Sequence, residues 1–206
     1  MKMSTVHRGA HTLWTALRTA LAASAAGLIL VLATGCSAPG DPGTVITEPG
    51  ALAARGEYLT TAIGCHDCHT PWTMTDKGPA PDMSRALSGH PEELVMPPLE
   101  LPPGPWIWAG GATNTAFAGP WGVSFATNLT PDMETGLGIY TEETFVAALK
   151  TGRHMGAGRP ILPPMPWPAY AHLTDEDLKA IYAYLNTLPP TRNSVPAAVI
   201  AAPPAS

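Results

Sequence analysis

The amino-acid sequence predicts a helical fold in which a few helices are joined by long loops. Three segments carry the hydrophobic spacing or the end signals of helices, at about residues 52–63, 142–150 and 174–188. The chain also contains 24 Pro and 20 Gly, most of them between residues 51 and 190, which favours irregular connections between the helices. No internal repeat is visible, and the length is sufficient for one domain.

The first predicted helix, residues 52–63, leads directly into a cysteine motif. Gly56, Tyr58, Leu59 and Ile63 are assigned to its inner face. Because glycine has no side chain beyond a hydrogen atom, another helix can approach this face closely at Gly56.

The second predicted helix, residues 142–150, has signals at both ends. Thr141 is a suitable N-cap, and the acidic pair that follows it suits the positive end of the helix dipole. Gly152 stops the helix. Its buried side is predicted to contain Phe145, Val146 and Leu149.

The third predicted helix, residues 174–188, has start and stop signals and a periodic hydrophobic face. It begins at a Thr-Asp-Glu-Asp run that resembles a capping box, and two prolines follow its last turn. Hydrophobic side chains recur inside it at helical spacing, at Leu178, Ile181, Tyr182, Leu185 and Leu188. We assign them to core packing.

Residues 65–69 read Cys-His-Asp-Cys-His, which is the Cys-x-x-Cys-His pattern, and it occurs once. Two thiols three residues apart can each add across one vinyl group of a haem and form two thioether bonds. The histidine after the second thiol then supplies a nitrogen ligand to the iron. The motif therefore predicts one covalent haem c on Cys65 and Cys68, with His69 as the proximal iron ligand.

Two other sites use similar residues. A thioredoxin-like redox pair also contains Cys-x-x-Cys, but it belongs to a βαβ context, which the sequence after the motif does not show. A zinc site built on the same cysteines and His66 or His69 usually needs a second ligand pair. The chain has only one further cysteine, Cys36, so the haem interpretation is preferred.

The N-terminal residues 1–35 are predicted to be an export signal. Lys2, Arg8 and Arg18 form a basic leader, and an apolar stretch follows at residues 21–33, too short to cross a bilayer comfortably. Residues beyond this leader should lie outside the cytoplasm, where bacteria attach haem to exported chains.

Residues 32–36, Leu-Ala-Thr-Gly-Cys, resemble a bacterial lipobox. The resemblance implies cleavage before Cys36, lipidation of its sulfur and a membrane anchor. Ala33 departs from the pattern, which prefers leucine there, so an ordinary secretory signal with a stray cysteine is the alternative. Ser37 is not Asp, so the common signal for retention in the inner membrane is missing, which favours the outer membrane or cell surface.

Composition divides the remaining chain into a flexible tether at residues 36–50, a domain at residues 51–190 and a disordered tail at residues 191–206. All 16 acidic residues but only 8 of the 11 basic ones remain after cleavage before Cys36, so the formal net charge becomes −8. Such an acidic chain is not expected to bind nucleic acid, because basic patches supply that affinity.

Several further motifs resemble class I c-type cytochromes. Residues 56–59, Gly-Glu-Tyr-Leu, are similar to the family's first helix. Residues 128–138, which begin Asn-Leu-Thr-Pro-Asp, resemble the central signature of cytochrome c subunits of bacterial periplasmic dehydrogenases. Residues 165–185, which begin Met-Pro-Trp, are similar to the family's C-terminal block. The resemblance covers about residues 51–190 and implies an all-α fold, with crossed first and last helices around a single haem.

The sixth iron ligand is predicted to be Met165. Its place in the resemblance supports this choice, and the prolines around it restrict the backbone of its loop. Met155 is the runner-up, in a Gly-rich turn, and His154 beside it would give a bis-histidine iron. His90 and His172 are assigned to the surface or to loops.

Residues 78–121 do not fit the smallest members of the family. This insertion is rich in Pro and Trp and is predicted to be an ordered loop that wraps the domain. It either forms a lid or partner-recognition surface or simply covers the apolar faces of the haem. Four side chains are candidates for hydrogen bonds to the haem propionates: Trp121, Arg153, Arg159 and Trp167.

The function predicted from these residues is electron transfer by a membrane-tethered carrier, or by the cytochrome subunit of a periplasmic or respiratory oxidoreductase. Its partners would be redox proteins, as donor and acceptor. The alternative is a haem enzyme or sensor with an open sixth position, with peroxidase or gas-binding activity. A carrier is preferred over a catalyst, because residues around Met165 suit a ligand that closes the iron site.

Overall fold

The computed structural model describes residues 49–97, 99, 101 and 104–201. Five α-helices lie in this part of the chain: α1 (Pro49–Ala62), α2 (Cys65–His69), α3 (Glu142–Thr151), α4 (Trp167–Tyr170) and α5 (Asp175–Leu185). Three short 3-10 turns, Met83–Arg85, Leu137–Ile139 and His154–Gly156, connect them. All three helices predicted from the sequence are present, with ends within a few residues of those expected. No helix in the described ranges has both the length and the apolar character needed to cross a membrane.

The expectation of an all-α fold is wrong, because the described chain also contains two antiparallel sheets. One is a hairpin of β1 (Trp72–Thr75) and β2 (Gly78–Pro81). The other has the order β3-β4-β5-β6, formed by β3 (Ala109–Gly110), β4 (Ala116–Gly119), β5 (Gly122–Phe125) and β6 (Val199–Ile200). The domain is therefore mixed α and β.

The strands could not be predicted from the sequence, because they are only two to four residues long and have almost no alternating hydrophobic pattern. The prolines of β2 also favoured the prediction of a loop there. Pro79 and Pro81 lie two residues apart in β2, so both lack a donor on the same side of the strand. In a two-stranded hairpin that side has no neighbour, so proline is tolerated there.

Helices α1 and α5 cross at Gly56, which confirms the close approach expected there. A β-carbon built on Gly56 would lie 1.9 Å from the carbonyl oxygen of Ala180 and 2.7 Å from the β-carbon of Tyr184. The crossing is also held by an ion pair between Arg55 and Asp177, with an N–O distance of 3.0 Å. Tyr58, by contrast, was wrongly assigned to the inner face. It is 62% exposed, and its ring lies beneath the Arg55 guanidinium.

Gly56→Ala is expected to destabilise the protein, because the new methyl group would meet backbone rather than a movable side chain. We expect a loss of about 3 kcal/mol, toward the upper end of overpacking effects. Denaturant unfolding of the haem-loaded protein measures it. Gly50→Ala is the matched control, because Gly50 is exposed in the same helix with nothing near its would-be β-carbon. That control should change stability by at most about 1 kcal/mol, in the stabilising direction. Equal effects of the two variants would contradict this account of the crossing.

The ends of α3 and α5 follow the predicted signals. The Thr141 side chain accepts a hydrogen bond from the Thr144 amide, and the Thr144 hydroxyl oxygen accepts one from the Thr141 amide, so α3 has a full capping box. Gly152 ends α3 in the left-handed conformation, at φ 67°. At α5, the Thr174 side chain accepts from the Asp177 amide. These bonds satisfy helix-end groups that would otherwise have no partner.

The core joins the helices to the loops that surround them. Its buried members are Leu59, Leu87, Leu137, Phe145, Leu149, Leu178, Ala180, Ile181 and Leu185. Lys150 connects α3 to the segment between α4 and α5, since its ammonium group donates to the carbonyl of Leu173 at 2.7 Å and of Ala171 at 3.2 Å. The loop that contains Met165 is thus anchored on its C-terminal side.

Residues 191–201, for which composition predicted loose order, lie against the domain. The Asn193 side chain is buried and donates to the carbonyls of Ser88 and His90, at 2.6 and 2.8 Å. Further on, β6 pairs with β5. The predicted leader, Cys36, most of the tether and residues 202–206 lie outside the described residues.

Candidate haem site

The cysteine motif forms its own short helix, α2. Gly64 begins it in the left-handed conformation, at φ 77° and ψ 30°, a backbone geometry that glycine adopts without strain. Within this turn, Cys65 and Cys68 are three residues apart, a spacing that places side chains on the same side of a helix. The carbonyl of Asp67 accepts from the Trp72 indole at 2.9 Å and from the side-chain amide of Asn114 at 2.7 Å, which fixes the turn against β1 and the β3–β4 connection.

His69 is buried and its ring orientation is determined. Its Nδ1 lies 2.8 Å from the carbonyl oxygen of Thr127, and since a carbonyl can only accept, Nδ1 carries the proton. Nε2 therefore keeps its lone pair, and it makes no hydrogen bond with the residues that the structure describes. Burial lowers the pKa of His69, so the ring is neutral. A neutral imidazole with one free lone pair is the form that binds a metal ion.

As free thiols, Cys65 and Cys68 would stay protonated at neutral pH. Burial raises the pKa of Cys65 to about 12, and burial likewise raises the pKa of Cys68, with a smaller contribution from Asp67. A redox-active Cys-x-x-Cys pair needs a lowered pKa, because the thiolate is the nucleophile. The environment of this pair is thus the opposite of what thiol–disulfide exchange requires.

A buried asparagine holds the loop that contains the Thr127 carbonyl. Asn128 accepts from the amide and hydroxyl of Thr130, at 3.0 and 2.8 Å, and donates to the Thr191 carbonyl at 2.7 Å. It also lies within hydrogen-bond distance of the Thr135 hydroxyl. The sequence identifies residues 128–132 as a signature, but it gives no sign that they fix the partner of His69.

Gly89 also packs closely against this loop. Its amide donates to the carbonyl of His69 at 2.8 Å, and a β-carbon on it would lie 2.6 Å from the Thr127 carbonyl carbon. Its φ of 81° is also one that glycine adopts easily. The backbone of His69 and its hydrogen-bonding partner Thr127 are therefore both held by residue 89 and its neighbours.

Thr70 is another residue that sequence analysis missed. It is completely buried, its hydroxyl accepts from the Leu87 amide at 2.9 Å, and it lies 2.9 Å from His66 Nδ1. Since the hydroxyl proton remains available, it is donated to His66. Burial lowers the pKa of His66, which agrees with an accepting, neutral ring. With Nδ1 accepting and the proton on Nε2, the neutral His66 ring has no free lone pair for an iron.

The candidate sixth ligands differ in their surroundings. Met165 is partly buried and packs against the same core cluster as Cys65, Leu129 and Tyr140. Met155 is 41% exposed and has a positive φ of 52°. These surroundings favour Met165 over Met155 as the ligand.

The alternative histidine, His154, has other neighbours. Its Nδ1 lies 3.3 Å from the Tyr140 hydroxyl, and burial together with the Arg159 charge lowers its pKa to about 4. A neutral His154 is thus expected throughout the physiological pH range.

The structure gives Trp121 and His90 surroundings that differ from those expected from the sequence. The Trp121 indole, a candidate propionate donor, instead donates to Ser124 at 3.2 Å. His90 was assigned to the surface or a loop, but it is completely buried and bonded through both ring nitrogens, to Thr115 and to the Leu94 carbonyl. Nothing in its sequence context indicates this burial, because both partners lie in irregular segments.

The residues present fit a c-type haem. Cys65 and Cys68 supply two sulfur atoms on one helical turn, and buried His69 supplies an imidazole nitrogen whose lone pair no described residue uses. This donor set corresponds to the covalent attachment and proximal ligation of haem c.

Comparison with known proteins agrees with this chemistry. The profile of the cytochrome c family matches residues 53–189, so the chain belongs to the cytochrome c family. Proteins of this class transfer electrons and contain haem c. The family therefore supports electron transfer with haem c as the cofactor.

Two of the similar proteins are cytochrome subunits of dehydrogenases, and a third is a dihaem cytochrome. The chain is 34% identical over 134 residues to the cytochrome c subunit of a quinone alcohol dehydrogenase from Gluconobacter oxydans, covering 65% of this chain and 21% of that protein. It is 33% identical over 173 residues to the fructose dehydrogenase cytochrome subunit of Gluconobacter japonicus, covering 81% of this chain and 28% of the relative. A dihaem c-type cytochrome of Cereibacter sphaeroides is 28% identical over 172 residues, which are 81% of this chain and 48% of that protein.

The chain thus spans between a fifth and three tenths of the length of the dehydrogenase subunits named above, at 21% and 28%.

Proposed function

We propose that this protein binds one haem c through Cys65 and Cys68, with His69 and Met165 as axial ligands, and carries single electrons between redox proteins. The observation that carries the proposal is the 2.8 Å hydrogen bond from His69 Nδ1 to the Thr127 carbonyl. It leaves the other ring nitrogen as a ligand, directly after the cysteine pair. The packing of Met165 against the cluster that includes Cys65 supports the choice of sixth ligand.

In this proposal a bound haem supplies an iron atom that changes its charge by one unit. The residues of the chain hold the haem and adjust the properties of the iron. Thioether bonds to Cys65 and Cys68 would prevent loss of the cofactor, and the Thr127 carbonyl raises the basicity of His69 by accepting a hydrogen bond from its Nδ1. The Met165 thioether favours a higher reduction potential than a second histidine would, and it keeps external ligands off the iron. Burial of His69 keeps water away from the ligand.

We propose a dehydrogenase as the electron donor. Several relatives are named as cytochrome subunits of dehydrogenases, for alcohol, gluconate and fructose. Redox encounters of this kind usually involve small contact areas, so the complex should be weak and transient unless the two proteins are stable subunits. The net charge of −8 proposed for the mature chain would favour a partner surface that is basic or apolar.

We also propose that the protein is exported and anchored by lipid on Cys36, through the tether that follows it. The lipobox-like residues 32–36 support this, and Ser37 favours the outer membrane or cell surface. Confinement beside membrane complexes would raise the effective concentration of the carrier near its partners.

Optical and magnetic spectroscopy of the purified oxidised protein tests the ligand set. We expect a low-spin spectrum with the long-wavelength charge-transfer band of an iron–methionine bond, and no rapid binding of CO after reduction. A high-spin iron that binds CO rapidly would reject the carrier function. That result would favour the enzyme or sensor with an open sixth position.

A further inference from the structure

The loop around Met165 has few groups with which to fix itself. Pro163, Pro164 and Pro166 have no amide hydrogen, so Met165 is the only residue of this run with a backbone donor. The loop must therefore be held mainly through its carbonyl oxygens, by donors from elsewhere in the chain. Such donors matter for the proposed ligation, because a ligand on a loose loop leaves the metal easily.

Ser124 supplies such a donor. It lies in β5, is 7% exposed, and its hydroxyl donates to the carbonyl of Pro163 at 2.6 Å. The other carbonyl within reach, that of Phe117, is 3.5 Å away, so the single hydroxyl proton belongs to Pro163. The Trp121 indole donates to the hydroxyl oxygen of Ser124 at 3.2 Å. This bond occupies a lone pair of that oxygen and leaves the hydroxyl proton for the Pro163 carbonyl.

The sheet holds Ser124 itself in place. Ser124 is opposite Phe117 in the β4–β5 pair, and Phe117 is buried. Trp121 is fixed as well, since its carbonyl accepts from the Ala201 amide beside β6 at 3.0 Å, and its ring lies close over Gly119. The sheet that was missing from the predicted fold thus holds a rigid donor against the methionine loop.

We infer that Ser124 is a positioning residue, which keeps Met165 on the iron by hydrogen bonding to the carbonyl of Pro163. The inference rests on the proposed ligation by Met165. Ser124 is not itself proposed as an iron ligand. It shifts the balance between a closed loop, in which the thioether is in place, and an open loop that admits external ligands.

The test is an imidazole titration of the oxidised, haem-loaded protein. Imidazole binds where the methionine has left, so its apparent affinity reports the population of the open loop. Ser124→Ala removes the donor, and the loss of one buried hydrogen bond predicts an increase in apparent imidazole affinity of about tenfold. Ser84→Ala is the control. Ser84 is exposed and bonds only to Asp82 nearby, so its replacement should change nothing.

A second pair of variants separates the hydroxyl from packing. Ser124→Thr and Ser124→Val have nearly the same shape and both suit a strand, but only threonine keeps the donor. Threonine should resemble the unmodified protein, while valine should resemble the alanine variant. This pair retains the comparison if the alanine variant fails to fold.

The outcomes are distinct. If the unmodified protein lacks an iron–methionine band, both the proposed ligation and the role of Ser124 are overturned. If the band is present and the donor-free variants bind imidazole no more tightly than the unmodified protein, only the role of Ser124 is overturned. Increased affinity in both Thr and Val variants would assign the effect to packing and would also reject it.

Discussion

Replacement of both motif thiols, Cys65→Ser with Cys68→Ser, is expected to leave a chain that retains no haem after denaturation. Each thioether forms by addition of one S–H group across one vinyl group, and serine cannot take its place at a useful rate. The structure adds that both sulfurs lie on the single turn of α2 that ends at His69. Haem staining on a denaturing gel, after expression in a host with haem-attachment machinery, measures the loss.

Single replacements at Cys65 or Cys68 should retain one thioether, seen as a shifted band in the pyridine haemochrome spectrum. Cys36→Ser is the matched control, because that cysteine stands outside the motif. It should leave the haem content unchanged while removing the proposed lipid. Undiminished haem in the double variant would contradict the assigned attachment site.

Replacement of the sixth ligand is the second large effect. Met165→Ala is expected to remove the iron–methionine band, allow rapid CO binding by the reduced protein and lower the reduction potential. The fall in potential should be on the order of 0.2 V, a fraction of the range of about 0.8 V that axial ligands cover in haem proteins. The reason is that a thioether stabilises the reduced iron more than water does. Absorption spectra and a redox titration measure all three changes.

Met155→Ala serves as the comparison for this variant. Its side chain is 41% exposed, away from the core packing that Met165 shares with Cys65, so its removal should leave spectrum and potential as they are. If Met155→Ala abolishes the band and Met165→Ala does not, the ligand assignment is wrong. His154→Ala would then decide whether a histidine acts in its place.

The helices could be predicted because their signals are local. Thr141 and Gly152 bound α3 by bonds within one turn of each end, and the periodic side chains of α5 report its buried face directly. The sheets could not be predicted in this way. A strand of two residues such as β6 has no period, and it exists only because β5 lies beside it in space, more than 70 residues earlier in the chain.

In the candidate site too, local features could be predicted from the sequence and long-range contacts could not. The two cysteines and His69 lie within one five-residue motif, so the sequence alone predicts their chemistry. The hydrogen-bonding partner of His69, Thr127, is 58 residues away. Asn128 fixes that partner by bonds to Thr191, 63 residues further on. Such contacts depend on how the whole chain packs, and no local pattern encodes them.

Intact-mass analysis of the mature protein, followed by peptide mapping, tests the central claim most directly. The account predicts one haem per chain, covalently bound to the peptide that contains Cys65 and Cys68, after expression in a host able to attach haem. Polypeptide without added haem, or haem recovered on any other peptide, would contradict it.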